Sequence, residues 1–230
     1  GWNGLMIGAL AMAGRDLDEP RYSDAAARAA GYILEHMRSP DGGLLRTMRG
    51  GNAKINAFLE DYAFLMHGLI ELYRTDGARR WLDAAEQLSG LATERFAAED
   101  GGYYDTLPDQ IDLIVRTRST NDGAVVSGNS QMAQNLLDLH ELTGKDEYLG
   151  AAVTTLYSFA GSLKQRGPMM AHMQHALYRA IEVAPRRVED FPVSVILAPE
   201  AINLSTGEAV VTVTMKIESG YHANANDPGV

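Results

Sequence analysis

Residues 56–73, NAFLEDYAFLMHGLIELY, leave a folding chain few options. The stretch has the length of one helix of about five turns. Phe58, Leu59, Tyr62, Ala63, Phe64, Leu65, Met66, Leu69, Ile70 and Leu72 cover most of its circumference. A helix that is apolar nearly all round is buried on nearly all sides. Glu60, Asp61 and His67 lie inside the stretch and make it a poor membrane span. It reads as an inner helix of a helical array, with the other helices of the chain as its neighbours.

Residues 2–13, WNGLMIGALAMA, have the same all-round apolar character, and Gly14 suits a helix stop. Pro20 opens an amphipathic helix in which Tyr22, Ala25, Ala26, Ala29, Ile33 and Met37 recur at helical spacing. A loop over 39–55 leads to the apolar helix, and Thr75-Asp76-Gly77 turns out of it. Residues 78–96 are again amphipathic, with Trp81, Ala84, Ala85, Leu88, Leu91 and Phe96 facing in. The loop 100–126 includes a predicted short strand at 113–117. Ser127 opens a further helix that Gly144 ends. Residues 146–163 form a third amphipathic helix, and Pro168 starts a last, Met-rich helix over 169–181.

These pieces repeat. Asp41-Gly42-Gly43 answers Asp100-Gly101-Gly102, and Tyr22, Trp81 and Tyr148 hold one place in three amphipathic helices. Each aromatic is followed by an Ala pair, at intervals of roughly 60 residues. Each unit is an inner apolar helix, a short turn and an outer amphipathic helix. Stacked round an axis, such hairpins make an α/α toroid. The predicted fold class is therefore mainly α: a partial α/α toroid of about three hairpins plus one helix over 1–182. A linker over 183–190 and the start of a truncated immunoglobulin-like β-domain over 191–230 follow. In that last segment Val211, Val213, Met215 and Ile217 alternate with polar residues, at the period of a half-buried strand. An abrupt apolar start and an unfinished β-segment predict a piece of a longer protein.

The net charge of −10 argues against a nucleic-acid partner and against anionic membrane surfaces. Hydrophobic and charged contents of 46% and 22% are ordinary for a globular protein. No Cys is present in the chain, so thiol chemistry has no residue here to carry it. No phosphate loop, dinucleotide fingerprint or nucleophile elbow occurs, and no cofactor is predicted.

The long loops all lead to the N-terminal ends of the inner helices, where free N–H groups suit hydroxyls or anions. Polar and aromatic residues gather there. Asp61 and Glu60 are the candidate acid/base groups, with Trp2, Asn3, Tyr62, Tyr103, Tyr104, Arg116 and Asn129 as candidate ligand-binding residues. Carboxylates, amides and aromatic faces round a bowl suit a sugar. Plainer readings stand beside these. Glu60 and Asp61 point about 100° apart on a helix and favour its N-terminus regardless of function. Asn129 and Ser127 also read as N-caps. Asp-Gly-Gly is first of all a turn. His67 reads as a hydrogen-bonded core residue, and His172 with His175 lacks a third zinc ligand nearby.

Residues 2–15 (WNGLMIGALAMAGR), 58–73 (FLEDYAFLMHGLIELY), 101–106 (GGYYDT) and 127–144 (SGNSQMAQNLLDLHELTG) resemble, in this order and spacing, one family. It is the thioredoxin-domain-containing family typified by spermatogenesis-associated protein 20 and bacterial YyaL. The resemblance implies a thioredoxin-like domain upstream and a six-hairpin toroid similar to six-hairpin glycosidases and N-acylglucosamine 2-epimerases. It carries over no catalytic residue and implies a cytoplasmic protein. Residues 210–229 resemble the start of the N-terminal β-domain of DsbD-type thiol:disulfide interchange proteins, which implies export instead. Two functions are therefore expected: a sugar-binding or sugar-converting toroid, or a scaffold whose acidic bowl presents peptide clients to the thioredoxin-like domain.

Overall fold

The computed structural model describes residues 1–108, 115–183, 194–198 and 212–216. Its helices are α1 (Trp2–Asp16), α2 (Pro20–His36), α3 (Leu59–Asp76), α4 (Arg79–Phe96), α5 (Gly128–Thr143), α6 (Asp146–Ser158), α7 (Ala160–Arg166) and α8 (Ala171–Val183). The strands β1 (Leu45–Arg49) and β2 (Asn52–Asn56) form an antiparallel hairpin, with Thr47 opposite Lys54. The strands β3 (Ser194–Ala198) and β4 (Thr212–Lys216) pair antiparallel, with Ser194 opposite Lys216.

The helices form the layers of an α/α toroid. Helices α1, α3, α5 and α8 lie side by side as the inner layer, and α2, α4 and α6 pack behind them. The inner helices run parallel. Gly4 meets Phe64 and Leu65, Gly8 meets His67, Gly128 meets Leu59, and Asn135 donates to the Ala63 carbonyl. Gly77 and Gly144 close α3 and α5 in the left-handed conformation, which glycine adopts without steric cost. The repeat is visible in burial too: Ala26, Ala85 and Ala152, the second Ala of each pair, are all fully enclosed.

Helix α3 is enclosed on nearly every side, as its apolar circumference requires. Two other inner helices differ from that expectation. Helix α1 buries only the face carrying Gly4, Ile7, Gly8, Ala11 and Gly14, because its main packing partners among the described elements are α3 and α2. Gly14 does not end α1. It lies inside the helix, where an added Cβ would fall 2.8 Å from the Ser23 backbone nitrogen, so its role is close helix contact. Helix α5 is enclosed along residues 128–139 although Gln131, Gln134, Asn135 and Asp138 lie in that span. Each of these four side chains has a hydrogen-bond partner, which is what burial of polar groups demands.

Three further differences from the sequence reading concern boundaries. The loop over 39–55 contains the β1–β2 hairpin. The third amphipathic helix breaks at Phe159, whose ring is buried and abuts the Gly102 turn, giving α6 and α7. The predicted strand at 113–117 lies partly outside the described residues, and its described part is irregular. The residues carrying the DsbD resemblance, other than those of β4, lie outside the described residues.

Candidate functional site

The predicted bowl at the N-terminal ends of α1 and α3 exists in part. Asp61 sits at the third position of α3, where its Oδ2 accepts the Phe58 N–H at 2.9 Å. That is one half of a capping box; Phe58 has no acceptor to supply the other half. Arg46, from β1, donates to Asp61 Oδ2 at 2.8 Å and to Glu60 Oε1 at 2.9 Å. The Gly1 nitrogen lies 2.6 Å from Asp61 Oδ1. Asp61 is thus buried with both oxygens engaged, and one guanidinium joins the two carboxylates. Asn3 lines the same cleft, with Arg46 and Asp61.

The other candidates do not join them. Tyr62 is a core residue: its hydroxyl accepts the Leu44 N–H at 2.8 Å and its ring meets Phe96 edge-on at 5.3 Å. Asn129 is fully buried, and its amide grips the Tyr103 backbone through two 2.8 Å bonds. The structure therefore gives Asn129 the task of anchoring the loop before α5, with no polar atom turned to a ligand. Ser127, not Asn129, caps α5. Tyr103 is itself buried. The guanidinium of Arg116 stacks 4.0 Å from the Tyr104 ring centroid and donates to the Thr106 carbonyl. A sugar would meet neither that face of Tyr104 nor a free Arg116. Trp2 is 80% exposed and lies outside the cleft that Asn3 and Asp61 line. The two Asp-Gly-Gly turns are structural in the same way as each other. Arg95 clamps Asp41, which is held down to about 2 by Ser39 first and Arg95 second, and Arg118 clamps Asp100 with two 2.8 Å bonds.

A second cluster, which sequence reasoning missed, lies on the inner layer. His67, Glu71 and Arg74 of α3, Gln131, Gln134 and Asp138 of α5, and His172, His175, Tyr178 and Arg179 of α8 line one groove of about 420 Å³. The His67 ring rests against Gly8 of α1, where a Cβ would lie 2.9 Å from Cδ2 and Nε2. Gln134 Nε2 donates to the His172 carbonyl at 3.0 Å and lies 3.1 Å from His175 Nδ1. Its Oε1 accepts from Arg179 at 2.7 Å. Gln131 donates to Asn135 at 2.9 Å. Asp122, on the loop before α5, accepts the His172 N–H at 2.8 Å and the Ser127 N–H at 2.9 Å, and so fixes the start of α8 beside α5.

Nε2 of His172 is buried and has no hydrogen-bond partner among the described residues. A buried polar group left unpaired costs about 1–3 kcal/mol. Burial also lowers the His172 pKa, with His175 and His67 adding to the effect and Asp122 opposing it. Burial likewise lowers the His67 pKa, against the carboxylates of Glu71 and Asp138. Both imidazoles are therefore neutral at pH 7, where one nitrogen donates and the other accepts. Among the described residues no group of three His, Asp or Glu side chains is placed to hold a metal. The polar stripe Gln131, Gln134, Asp138 was readable at helical spacing. Its meeting with His67 and His172 depends on ring packing.

Rat and human spermatogenesis-associated protein 20 are each 32% identical to the chain over 187 residues, which is 76% of this chain and 24% of the relative. This chain is a homologue of spermatogenesis-associated protein 20. An uncharacterized Caenorhabditis elegans protein is 33% identical over 156 residues, covering 64% of the chain and 21% of that relative. The chain spans about a quarter of the length of spermatogenesis-associated protein 20. No family model matches it. Among solved structures, cellobiose 2-epimerase from Bacillus thermoamylovorans is similar with TM-score 0.64 and 15% identity, covering 82% of this chain and 57% of that one. The GH76 α-mannanase BT2949 of Bacteroides thetaiotaomicron is similar with TM-score 0.62 and 18% identity, covering 81% and 53%. A D-mannose isomerase is similar with TM-score 0.57 and 17% identity, covering 71% and 40%. At these identities the likeness is one of fold: the α/α toroid. Among the described residues no helix is long and apolar enough to cross a membrane.

Proposed function

We propose that the groove between α3, α5 and α8 binds a sugar and that His67 and His172 move protons on it. The observation that carries this is the buried, unpartnered Nε2 of His172 in the groove that His67 also lines. A general base must be deprotonated at working pH, and burial keeps both rings so. The reaction class is a proton shift next to a carbonyl. One neutral imidazole takes the proton from the carbon beside the carbonyl of an open-chain sugar. The C–H electron pair moves into the carbon–carbon bond, and the carbonyl oxygen takes up the charge. The other, still neutral imidazole holds that oxygen through its N–H. The imidazolium then gives its proton back. Return to the opposite face of the same carbon, once the enediolate has turned, yields the epimer. Return to the former carbonyl carbon, while the neighbouring hydroxyl proton passes to the first oxygen, yields the isomeric carbonyl sugar. Both rings end neutral. The isomerase and epimerase named above share the fold, but so does the α-mannanase, so the choice against glycoside hydrolysis rests on the carboxylates. Hydrolysis would need two free carboxyl groups flanking the scissile bond, and Asp61 and Glu60 are both tied to Arg46.

The scaffold reading expects the acidic groups of the bowl to favour basic clients, and two of those groups, Asp61 and Glu60, are paired with Arg46. The thioredoxin-like domain upstream remains part of the proposal as the sequence resemblance implies it. The test uses mannose and cellobiose as probes in deuterated water. Uptake of deuterium at the carbon beside the carbonyl is expected, with His67→Asn and His172→Asn each slowing it by about 10²-fold or more. Bound sugar without exchange would overturn the proton shift, and no binding would overturn the sugar reading.

A further inference from the structure

The groove contains two guanidiniums, and both are engaged. Arg74 donates to Glu71 at 2.8 Å and to Asp138 at 3.0 Å. Arg179 donates to the same Asp138 oxygen at 2.7 Å and to Gln134 at 2.7 Å. Glu141 lies 3.4 Å from both. Asp138, nearly buried on the middle helix, thus pairs with one cation from each flanking helix, with Glu71 and Glu141 supplying the further negative charge. The lining groups left to meet a ligand include no further cation: His67, His172 and Gln131 are uncharged, and the Glu182 carboxylate accepts from the Tyr178 hydroxyl at 2.6 Å.

We infer that the groove selects uncharged polyhydroxylated ligands and rejects phosphorylated ones, with Asp138 as the residue that sets this choice. A phosphate carries about −1.5 to −2 charge and is recognised through free Arg or Lys donors. Here it would have to displace Asp138 from two guanidiniums at once, leaving a carboxylate nearly buried without its partners. A neutral hydroxyl ligand displaces nothing, and it offers His172 Nε2 the hydrogen bond that it lacks. An uncompensated charge raised against the wrong ligand is one route to such discrimination.

This rests on the groove being the sugar site, and the experiment separates the two. Calorimetric titrations of the full chain compare mannose and cellobiose with mannose 6-phosphate and inorganic phosphate. The neutral probes are expected to bind at least tenfold tighter than the phosphorylated ones. Asp138→Asn keeps the shape and removes the one carboxylate that both guanidiniums share, so it is expected to gain at least tenfold in affinity for inorganic phosphate while its helical circular dichroism is unchanged. Phosphate or mannose 6-phosphate binding the parent as well as mannose does would overturn the charge selection and leave the sugar reading standing. A folded Asp138→Asn with no gain for phosphate would also overturn it. Silence from every probe would overturn both.

Discussion

His67 shows how one residue's environment decides its chemistry. Its ring fills the space above Gly8, so the glycine and the histidine form one contact between α1 and α3. Gly8→Ala would place a methyl 2.9 Å from two ring atoms, and overpacking of this kind costs about 1–3 kcal/mol. Gly31, inside α2, has nothing within 4 Å of an added Cβ. Gly31→Ala is therefore expected to stabilise the protein by about 0.5–1 kcal/mol, through helix propensity and a less disordered unfolded chain. Urea midpoints of the two variants should move in opposite directions. The buried imidazoles also set a pH dependence. Their folded pKa values lie below the ordinary value of about 6.5, so in acid the unfolded chain binds protons that the folded one does not. Stability is expected to fall as pH drops through about 6.5, until the folded rings protonate too. His67→Gln and His172→Gln should each flatten the loss between pH 7 and pH 5, measured as the urea midpoint. A sequence cannot display this. His67 reads as a core residue there because its apolar neighbours are visible in the chain and the groove beside it is not. Asn129 erred the other way, because its partner Tyr103 is brought near only by the fold.

At the scale of elements, the hairpin repeat was legible because each amphipathic helix presents the same aromatic-then-Ala signature. Helix α5 was harder to characterise. Periodicity locates a buried face but does not say whether that face meets apolar neighbours or a polar network. The link between α5 and α8 is similar. Asp122 was visible as a loop carboxylate, while its partners, the N–H groups of Ser127, His172 and Met173, lie at the starts of two different helices. It does for α8 what an N-cap side chain does locally, at a distance of 50 residues in sequence. Asp122→Ala is expected to cost about 1–2 kcal/mol and to free the start of α8. Asp122→Asn keeps one acceptor and should cost less. Hydrogen exchange read along α8 would check this: protection should fall first at Met173 and its neighbours in Asp122→Ala and stay near the parent in Asp122→Asn. Uniform loss across all helices would show that Asp122 supports the fold generally instead of this junction.

For the whole molecule, the four inner helices form a continuous row with α1 at one end. Helix α3 is flanked on both sides by α1 and α5, whereas α1 has one inner neighbour among the described elements. Its outward side carries Trp2, 80% exposed, Met6, 59% exposed, and Met12, 39% exposed. The solved toroids that the chain resembles are longer, and it covers 53% and 57% of two of them. We propose that residues 1–182 are a partial toroid, and that in a closed ring a further inner helix lies on this stripe. Fully burying one large apolar side chain stabilises by about 1.5–3 kcal/mol, so three of them are a substantial fraction of a domain's ~5–15 kcal/mol. The 230-residue chain by itself is therefore expected to be strongly helical by circular dichroism, to bind a hydrophobic dye and to associate as its concentration rises. Trp2→Ser with Met6→Gln should reduce dye binding and association together and leave helicity intact, because neither side chain supports the α1–α3 contact made by Gly4 and Gly8. Sedimentation velocity with dye titration measures both. A monodisperse monomer that binds no dye and melts sharply would mean that α1 needs no neighbour on that side, and the partial-ring reading would fail.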